Sequence, residues 1–368
     1  MRILIVAYYF SPFPGVGAKR VGYWHEKLLK DGHVCKVLTA TSQIEANPGV
    51  AYVAPWFRST LASEESKVGD KGIFWLPPLL WRIREELSSD HYDFVLFTGG
   101  PFFHFIASIF PIFSAANIVF DFRDPWSGNP LTKGRYLTNK IKQFAERLAL
   151  KGADVVIHTT VHCARLSEKY KGRSLLIDNG FDERLIPAAI EKFAPRGLIY
   201  TGKLTKQRKL EPLIEAVKKI GVLDLGITYF GQDYRDLKLY EGPLFSANAP
   251  KDYSEICQEI EKSWLTIVLS SGEPLESTTK IFDYISRRRP VLVVEAKVST
   301  EGAIRDVAKE YPAVFFCKNT PDSIIDALNK LNRERYRIEK TLGELSDDYL
   351  MKFSREHGYL ALKSGLGF

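Results

Sequence analysis

SSGEPLESTTKIFDYISRRRP, residues 270–290, stands between two apolar runs, residues 265–269 (LTIVL) and 291–294 (VLVV). Runs of that length flanked by Gly and Pro read as strands buried on both faces, with a turn at Gly272 and Pro274 and a helix between them. Ser277, Thr278 and Thr279 fall where the helix begins, and their hydroxyls suit N-capping. Lys280 comes in the first turn. A helix N-terminus carries unpaired N–H groups and partial positive charge, so a hydroxyl pair and a lysine there make a phosphate cradle. Glu276 and Asp283 flank it as carboxylates able to accept hydrogen bonds from a ribose or a sugar. An ordinary strand–helix–strand crossover with a capped helix accounts for the same residues.

The unit repeats along the chain. Arg2–Ala7 (RILIVA) opens it as a strand, followed by a Pro/Gly loop, a helix over 19–30 and a strand from 34 to 38. Gly15 and Gly17 in that loop would let backbone approach a ligand above the strand end. The third glycine of a dinucleotide fingerprint is missing. Residues 94–97 form another strand before Thr98-Gly99-Gly100-Pro101, and 102–113 read as a buried apolar helix with His104 in the core or at a domain edge. The strand 118–122 leads into Arg123-Asp124-Pro125-Trp126. Asp121, Arg123 and Asp124 thus gather at a strand's carboxyl end, where open α/β sheets bind ligands. Trp126 is either a sugar-stacking platform or a core plug. A helix (137–150) and a strand (155–158) follow. Beyond the turn at Asp178-Asn179-Gly180, a boundary falls between 186 and 196. The strand 198–201 then runs into Gly202-Lys203-Leu204-Thr205-Lys206-Gln207-Arg208-Lys209 ahead of a helix over 211–220. Four cations around one glycine at a strand end have the composition of a diphosphate site, or of a solvated basic loop.

Composition sets bounds. A chain of 368 residues exceeds what one core supports and divides into two domains of roughly 170–190 residues. Cys35, Cys163, Cys257 and Cys317 are scattered, with no CxxC pair, which argues against zinc or a disulfide framework and suits a reducing compartment. The N-terminal apolar run is too short for a leader and reads as a first strand, and no window is long enough to span a membrane. The net charge of +7 calls for an anionic partner. The cations form no nucleic-acid motif, which excludes nucleic acid and leaves phosphorylated small molecules and an anionic membrane surface. Residues 73–83 (IFWLPPLLWRI), with Trp75, Trp81, Arg82, Arg84 and nearby Arg58, are read as a loop and helix start docked on the core or as an interfacial membrane patch. An apolar stripe through Tyr336, Ile338, Leu342, Leu345, Tyr349, Leu350, Phe353, Tyr359, Leu360 and Leu362 makes 336–368 helical and docked on a domain surface.

In order along the chain, the Pro/Gly loop with KDGHVCKVLT, then DFRDPW, DNGFD, YTGKL…R…LIEA and TKIFDYISRRRPVLVV resemble the retaining glycosyltransferases of the GT-B fold, in the large group called family 4. DFRDPW is similar to the branch that makes surface polysaccharides and lipopolysaccharides. The resemblance covers nearly the whole chain. It implies two Rossmann-like doubly wound domains facing across a cleft: an acceptor domain over 1–186, a nucleotide-sugar domain over 187–335, and terminal helices over 336–368 packing across both. It implies that Lys203 and Arg208 hold the donor diphosphate, with Lys206 or Lys209 as substitutes for Arg208. Gly202, Thr278, Thr279 and Lys280 would line the phosphates, and Gly15 and Gly17 would lie near acceptor and phosphates. Asp124, with Arg123 beside it, would lie by the transferred sugar. Asp283 matches the second acid of the family's Glu-x7-Glu motif, the one on the ribose. Leu275 stands at the first acid's place, so Glu273 and Glu276 are the nearby candidates for it. The implied activity is metal-independent transfer of a hexose-like sugar from a nucleotide-sugar, UDP being the commonest carrier, to a glycan or polyprenyl-linked acceptor. No metal or cofactor is implied, and the site of action is cytoplasmic, at the inner face of the plasma membrane. A 2-epimerase of the same architecture, or a non-catalytic nucleotide-sugar-binding protein, is the alternative.

Overall fold

A computed structural model describes residues 1–13, 15–42, 49–56, 70–113, 115–128, 136–165, 170, 172–187 and 196–368. Arg58, and residues 188–195 of the expected boundary, lie outside the described residues. The chain divides into two compact units, Met1–Asn179 with Gly358–Phe368, and Gly180–His357.

The first unit holds a seven-stranded parallel sheet. Its strands are β1 (Arg2–Ala7), β2 (Val34–Thr39), β3 (Val50–Tyr52), β4 (Phe94–Thr98), β5 (Asn117–Phe122), β6 (Val155–His158) and β7 (Arg173–Leu176), in the order β3-β2-β1-β4-β5-β6-β7. Alternate residues of β1 enter two separate cores. Leu4 and Val6 pack with Trp75, Leu79 and Phe105, while Ile3, Ile5 and Ala7 pack with Val21, Trp24 and Leu28. A strand covered on both faces has no solvent side to signal by alternation, which is why RILIVA is apolar throughout.

The second unit repeats the design with β8 (Leu198–Thr201), β9 (Ile227–Phe230), β10 (Phe245–Asn248), β11 (Leu265–Ser270), β12 (Val291–Glu295) and β13 (Val314–Lys318), ordered β10-β9-β8-β11-β12-β13. Both sheets are doubly wound and Rossmann-like. In each, the order reverses beside the first strand, between β1 and β4 and between β8 and β11, and such a reversal leaves a crevice at the carboxyl ends.

Three sequence expectations change. Residues 102–113 form no α-helix: they are two 3-10 segments, Phe103–Ile109 and Pro111–Phe113, because Phe110 precedes a proline and is extended (φ −80°, ψ 140°). Within them His104 is fully buried against Trp75 and Phe105, and burial pulls its pKa down to about 3. The 73–83 segment belongs to the helix Gly72–Ser89, which tolerates Pro77 and Pro78 inside it. Pro78 has no N–H for the Phe74 carbonyl, and the Trp56 N–H donates to that carbonyl instead, at 3.1 Å. Trp75, Leu79, Ile83 and Glu86 form its buried face, so Trp75 belongs to the core and to no membrane patch, whereas Trp81 is 68% exposed. In the terminal stripe, Ile338, Leu342, Leu350, Phe353, Tyr359 and Leu362 are buried, but Tyr336 and Leu360 are exposed. The last helix, Arg355–Leu366, contributes its end to the first unit, where Tyr359 and Lys363 both donate to the Asp31 carboxylate (2.9 and 2.5 Å).

No helix among the described residues is long and apolar enough to cross a membrane. The Trp75 indole is enclosed and donates to the Val53 carbonyl at 2.9 Å. Urea unfolding followed by circular dichroism is expected to show Trp75→Ala losing about 3–5 kcal/mol and Trp81→Ala changing stability by less than ~0.5 kcal/mol.

Candidate functional site

At the carboxyl end of β8 the chain must turn sharply, and Gly202 does so at φ +116°, a conformation that favours glycine. Its carbonyl accepts from the Tyr229 hydroxyl at 2.9 Å, and the Leu204 N–H donates to Asp233 at 2.8 Å. Thr205 and Arg208 then pair across a tight turn, with the Arg208 N–H on the Thr205 carbonyl at 3.0 Å. That turn leaves Lys203, Lys206 and Lys209 exposed and sends the Arg208 side chain back toward the sheet, only 23% exposed. The four cations of this loop are therefore not equivalent.

Arg208 meets the turn that follows β11, across the reversal point of the sheet. Its guanidinium forms an ion pair with the Glu276 carboxylate, which is buried. The other oxygen of Glu276 accepts from the Ser270 hydroxyl (2.8 Å), the Ser271 hydroxyl (2.7 Å) and the Ser271 N–H (2.7 Å). Gly272, at φ +82°, closes this turn against the Lys297 carbonyl, 1.7 Å from where a Cβ would sit. Glu273 is half-buried on the same turn.

The helix Lys280–Ser286 begins where the sequence places it, with half-buried Thr278 and Thr279 just before it. Thr279 holds the N-cap position with helical backbone angles and no side-chain cap bond, so the expected hydroxyl cap is not made. Helical angles point the hydroxyl away from the first-turn N–H groups, where an extended N-cap would turn it toward them. Lys280 reaches over Gly202. A Cβ on that glycine would lie 2.2 Å from its Nζ, which also stands 4.8 Å from the Tyr200 ring centroid. Burial, and then the neighbouring Arg208 cation, pull the Lys280 pKa down to about 8. One turn on, Asp283 accepts a short hydrogen bond from the Tyr253 hydroxyl. Two cations and a carboxylate thus meet at the reversal point of one sheet, an arrangement suited to a diphosphate with a polyol beside it.

The triple arginine after this helix has a different task. Arg287 donates to the Leu185 carbonyl (3.1 Å), and Arg288 donates to Asp347 (2.5 Å) and to the Leu345 carbonyl. All three arginines are buried, so they tie the crossover to its surroundings.

In the first unit the strand ends are organised by a buried ion pair. Arg20 donates to Asp121 (3.1 Å) and to the carbonyls of Ile177 (3.0 Å) and Asp178 (2.7 Å), and Thr98 donates to the second Asp121 oxygen (3.0 Å). Asp121 is therefore a structural acid. The Arg123 guanidinium lies on Gly17, where a Cβ would fall 1.0 Å from its Nη1, and a Cβ on Gly15 would meet the Phe13 ring at 2.6 Å. The two glycines make room for those side chains. Asp124 is exposed just beyond Arg123. Trp126 is a core plug, buried against Phe102 (5.8 Å, stacked) and Phe103.

Sequence reasoning missed Tyr253, Asp233 and Arg20, which act on partners 30, 29 and 101 residues away. Among the described residues no group of three or more His, Cys, Asp or Glu side chains could hold a metal ion.

No protein-family model and no curated protein sequence matches the chain. Solved structures do. The crystal structure of HepE from Anabaena in complex with UDP and glucose superposes with a TM-score of 0.69 at 14% identity, covering 100% of this chain and 99% of that one. A glycosyltransferase from Rickettsia africae gives 0.69 at 15% identity, covering 99% and 98%. The UDP-GlcNAc 2-epimerase of Neisseria meningitidis bound to UDP-GlcNAc gives 0.63 at 13% identity, covering 100% and 99%. These likenesses show the fold: the chain has the GT-B fold, which sugar transferases and sugar-nucleotide epimerases share.

The charge arrangement makes a prediction of its own. In a lysine NMR titration, one amine is expected to titrate near pH 8 and to vanish in Lys280→Met. Arg208→Ala is expected to move that amine up toward the ordinary lysine range near ~10.4, since it removes a neighbouring like charge.

Proposed function

We propose that this protein is a retaining glycosyltransferase that moves a sugar from a nucleotide-sugar to a glycan or polyprenyl-linked acceptor in cell-surface glycan synthesis. The observation that carries this reading is the nearness of the Arg208 cation to Lys280, which itself covers Gly202, at the sheet reversal of the second unit. The donor diphosphate lies there, with Asp283 on the ribose and Lys203, Thr278, Thr279 and Glu273 along its edge. UDP is the favoured carrier, because the structures of HepE and of the Neisseria epimerase hold UDP or a UDP-sugar. In the first unit Asp124 and Arg123 serve the transferred sugar and the acceptor. The work takes place at the cytoplasmic face of an anionic membrane, which the net charge of +7 favours.

The chemistry follows from where charge develops. The bond from sugar C1 to the diphosphate oxygen breaks, leaving an oxocarbenium-like sugar and a nucleoside diphosphate with an added negative charge. Cations already fixed around those phosphates stabilise that change without reorganising. The acceptor hydroxyl attacks from the face the diphosphate leaves, and its proton passes to a phosphate oxygen of the leaving group. Retention then requires no enzyme nucleophile.

The epimerases of the same fold motivate a second reading. Such chemistry moves a proton at a sugar carbon and needs an exposed acid or base. In the first unit, His104 in the 3-10 segment and His158 at the end of β6 are buried, with pKa values lowered by burial to about 3 and about 4. Neither histidine is placed to be that base, while the exposed Asp124 fits either reading.

Incubation with UDP-, GDP- and dTDP-sugars, with nucleoside diphosphate release as the readout, separates the two. Release that rises with added acceptor is expected. Conversion of one sugar nucleotide into its epimer contradicts the proposal. Arg208→Ala and Lys203→Ala are expected to lower release by about 100-fold or more with the fold intact, and near-normal turnover in both refutes the phosphate site.

A further inference from the structure

Glu276 is one of two acids near the place where the family resemblance puts a donor-sugar contact, yet its surroundings give it other work. The residue is 5% exposed. One carboxylate oxygen takes three donors, the hydroxyls of Ser270 and Ser271 and the Ser271 N–H, and the other takes the Arg208 guanidinium. A carboxylate offers about four lone-pair sites, so four donors leave little for a ligand hydroxyl. The arginine it holds comes from the loop after β8, 68 residues away, and remains partly exposed with further N–H groups to offer. A guanidinium is a planar fork, and fixing one edge on a carboxylate sets the direction of the other.

We infer that Glu276 is a positioning residue: anchored by Ser270 and Ser271, it holds Arg208 in the orientation that grips the donor diphosphate and does not itself touch the donor sugar. The inference rests on the transferase reading of this site. Arg208 is the contact residue, and Glu276 acts through it. The same carboxylate offsets the repulsion between Arg208 and Lys280, which lets two cations share one half-buried corner. Loss of Glu276 therefore costs affinity for every ligand that carries the diphosphate, whatever sugar follows.

Calorimetric titration of UDP and of UDP-glucose into wild-type protein, Glu276→Gln, Arg208→Ala and the double variant tests this. Glu276→Gln is expected to weaken UDP and UDP-glucose by the same factor, about tenfold, and the double variant is expected to bind no more weakly than Arg208→Ala alone. The double variant should also unfold at higher urea than Arg208→Ala, which strands a buried carboxylate without its partner. If Glu276→Gln folds poorly, Ser271→Ala removes one of the three anchoring contacts, the Ser271 hydroxyl, without changing charge, and an equal loss for both ligands is again expected. An effect of Glu276→Gln confined to UDP-glucose, or losses that multiply with those of Arg208→Ala, overturns the positioning role while leaving the site intact. Wild-type protein that binds no nucleoside diphosphate overturns the site and the role together.

Discussion

Two positive charges held close together in a half-buried corner are unstable unless something negative joins them. In the second unit that corner lies at the end of β8, where Lys280 covers Gly202 and Arg208 arrives from the following loop. Glu276 and Asp283 supply part of the compensation, and burial first, then the Arg208 cation, still pull the Lys280 pKa down. In the proposed reading, an anion of two charges completes it. The turn chemistry around the corner serves this end: Gly202 and Gly272 take backbone angles that other residues avoid, and each admits a neighbour where a side chain would stand.

The first unit solves a related problem differently. Arg20 and Asp121 are both buried, and every polar atom of the Asp121 carboxylate is engaged, so that pair fixes strand ends and offers no charge to a ligand. Removing one partner of such a pair strands the other in a medium of low polarity, which costs more than the pair itself contributes. Among the described residues, Arg123 and Asp124 stand at that end of the sheet beside the pair. Two Rossmann-like sheets that share their order over six strands thus differ in what their carboxyl ends present: a sealed ion pair in one, a pair of cations in the other.

Much of this architecture was legible in the residues, for physical reasons. Strands covered on both faces are apolar throughout, so RILIVA, LTIVL and VLVV announced themselves, and glycines after β4, β8 and β11 marked the turns. The 3-10 segments at 103–113 were not, since an all-apolar run carries no period to measure, and the break came from Pro111 acting on Phe110. The buried face of the helix Gly72–Ser89 was written in the spacing of Trp75, Leu79, Ile83 and Glu86, but two prolines concealed it as a loop. At the candidate site the cations and acids were identifiable by type, and their pairings were not. Nothing local tells Glu276 to choose Arg208 over Lys203, Lys206 or Lys209; that choice comes from the Thr205 turn, which aims one side chain inward and leaves the lysines in solvent. Tyr253 gave no signal at all, because its hydrogen bond to Asp283 joins two helices through the tertiary fold.

Amide hydrogen exchange with and without UDP tests the central claim most directly. If Arg208 and Lys280 grip a diphosphate, UDP slows exchange in two separate stretches together, residues 202–208 and residues 271–283, with the largest change at the turn between β11 and the helix Lys280–Ser286. Exchange that UDP leaves unchanged in both stretches, or slows only elsewhere in the chain, contradicts it.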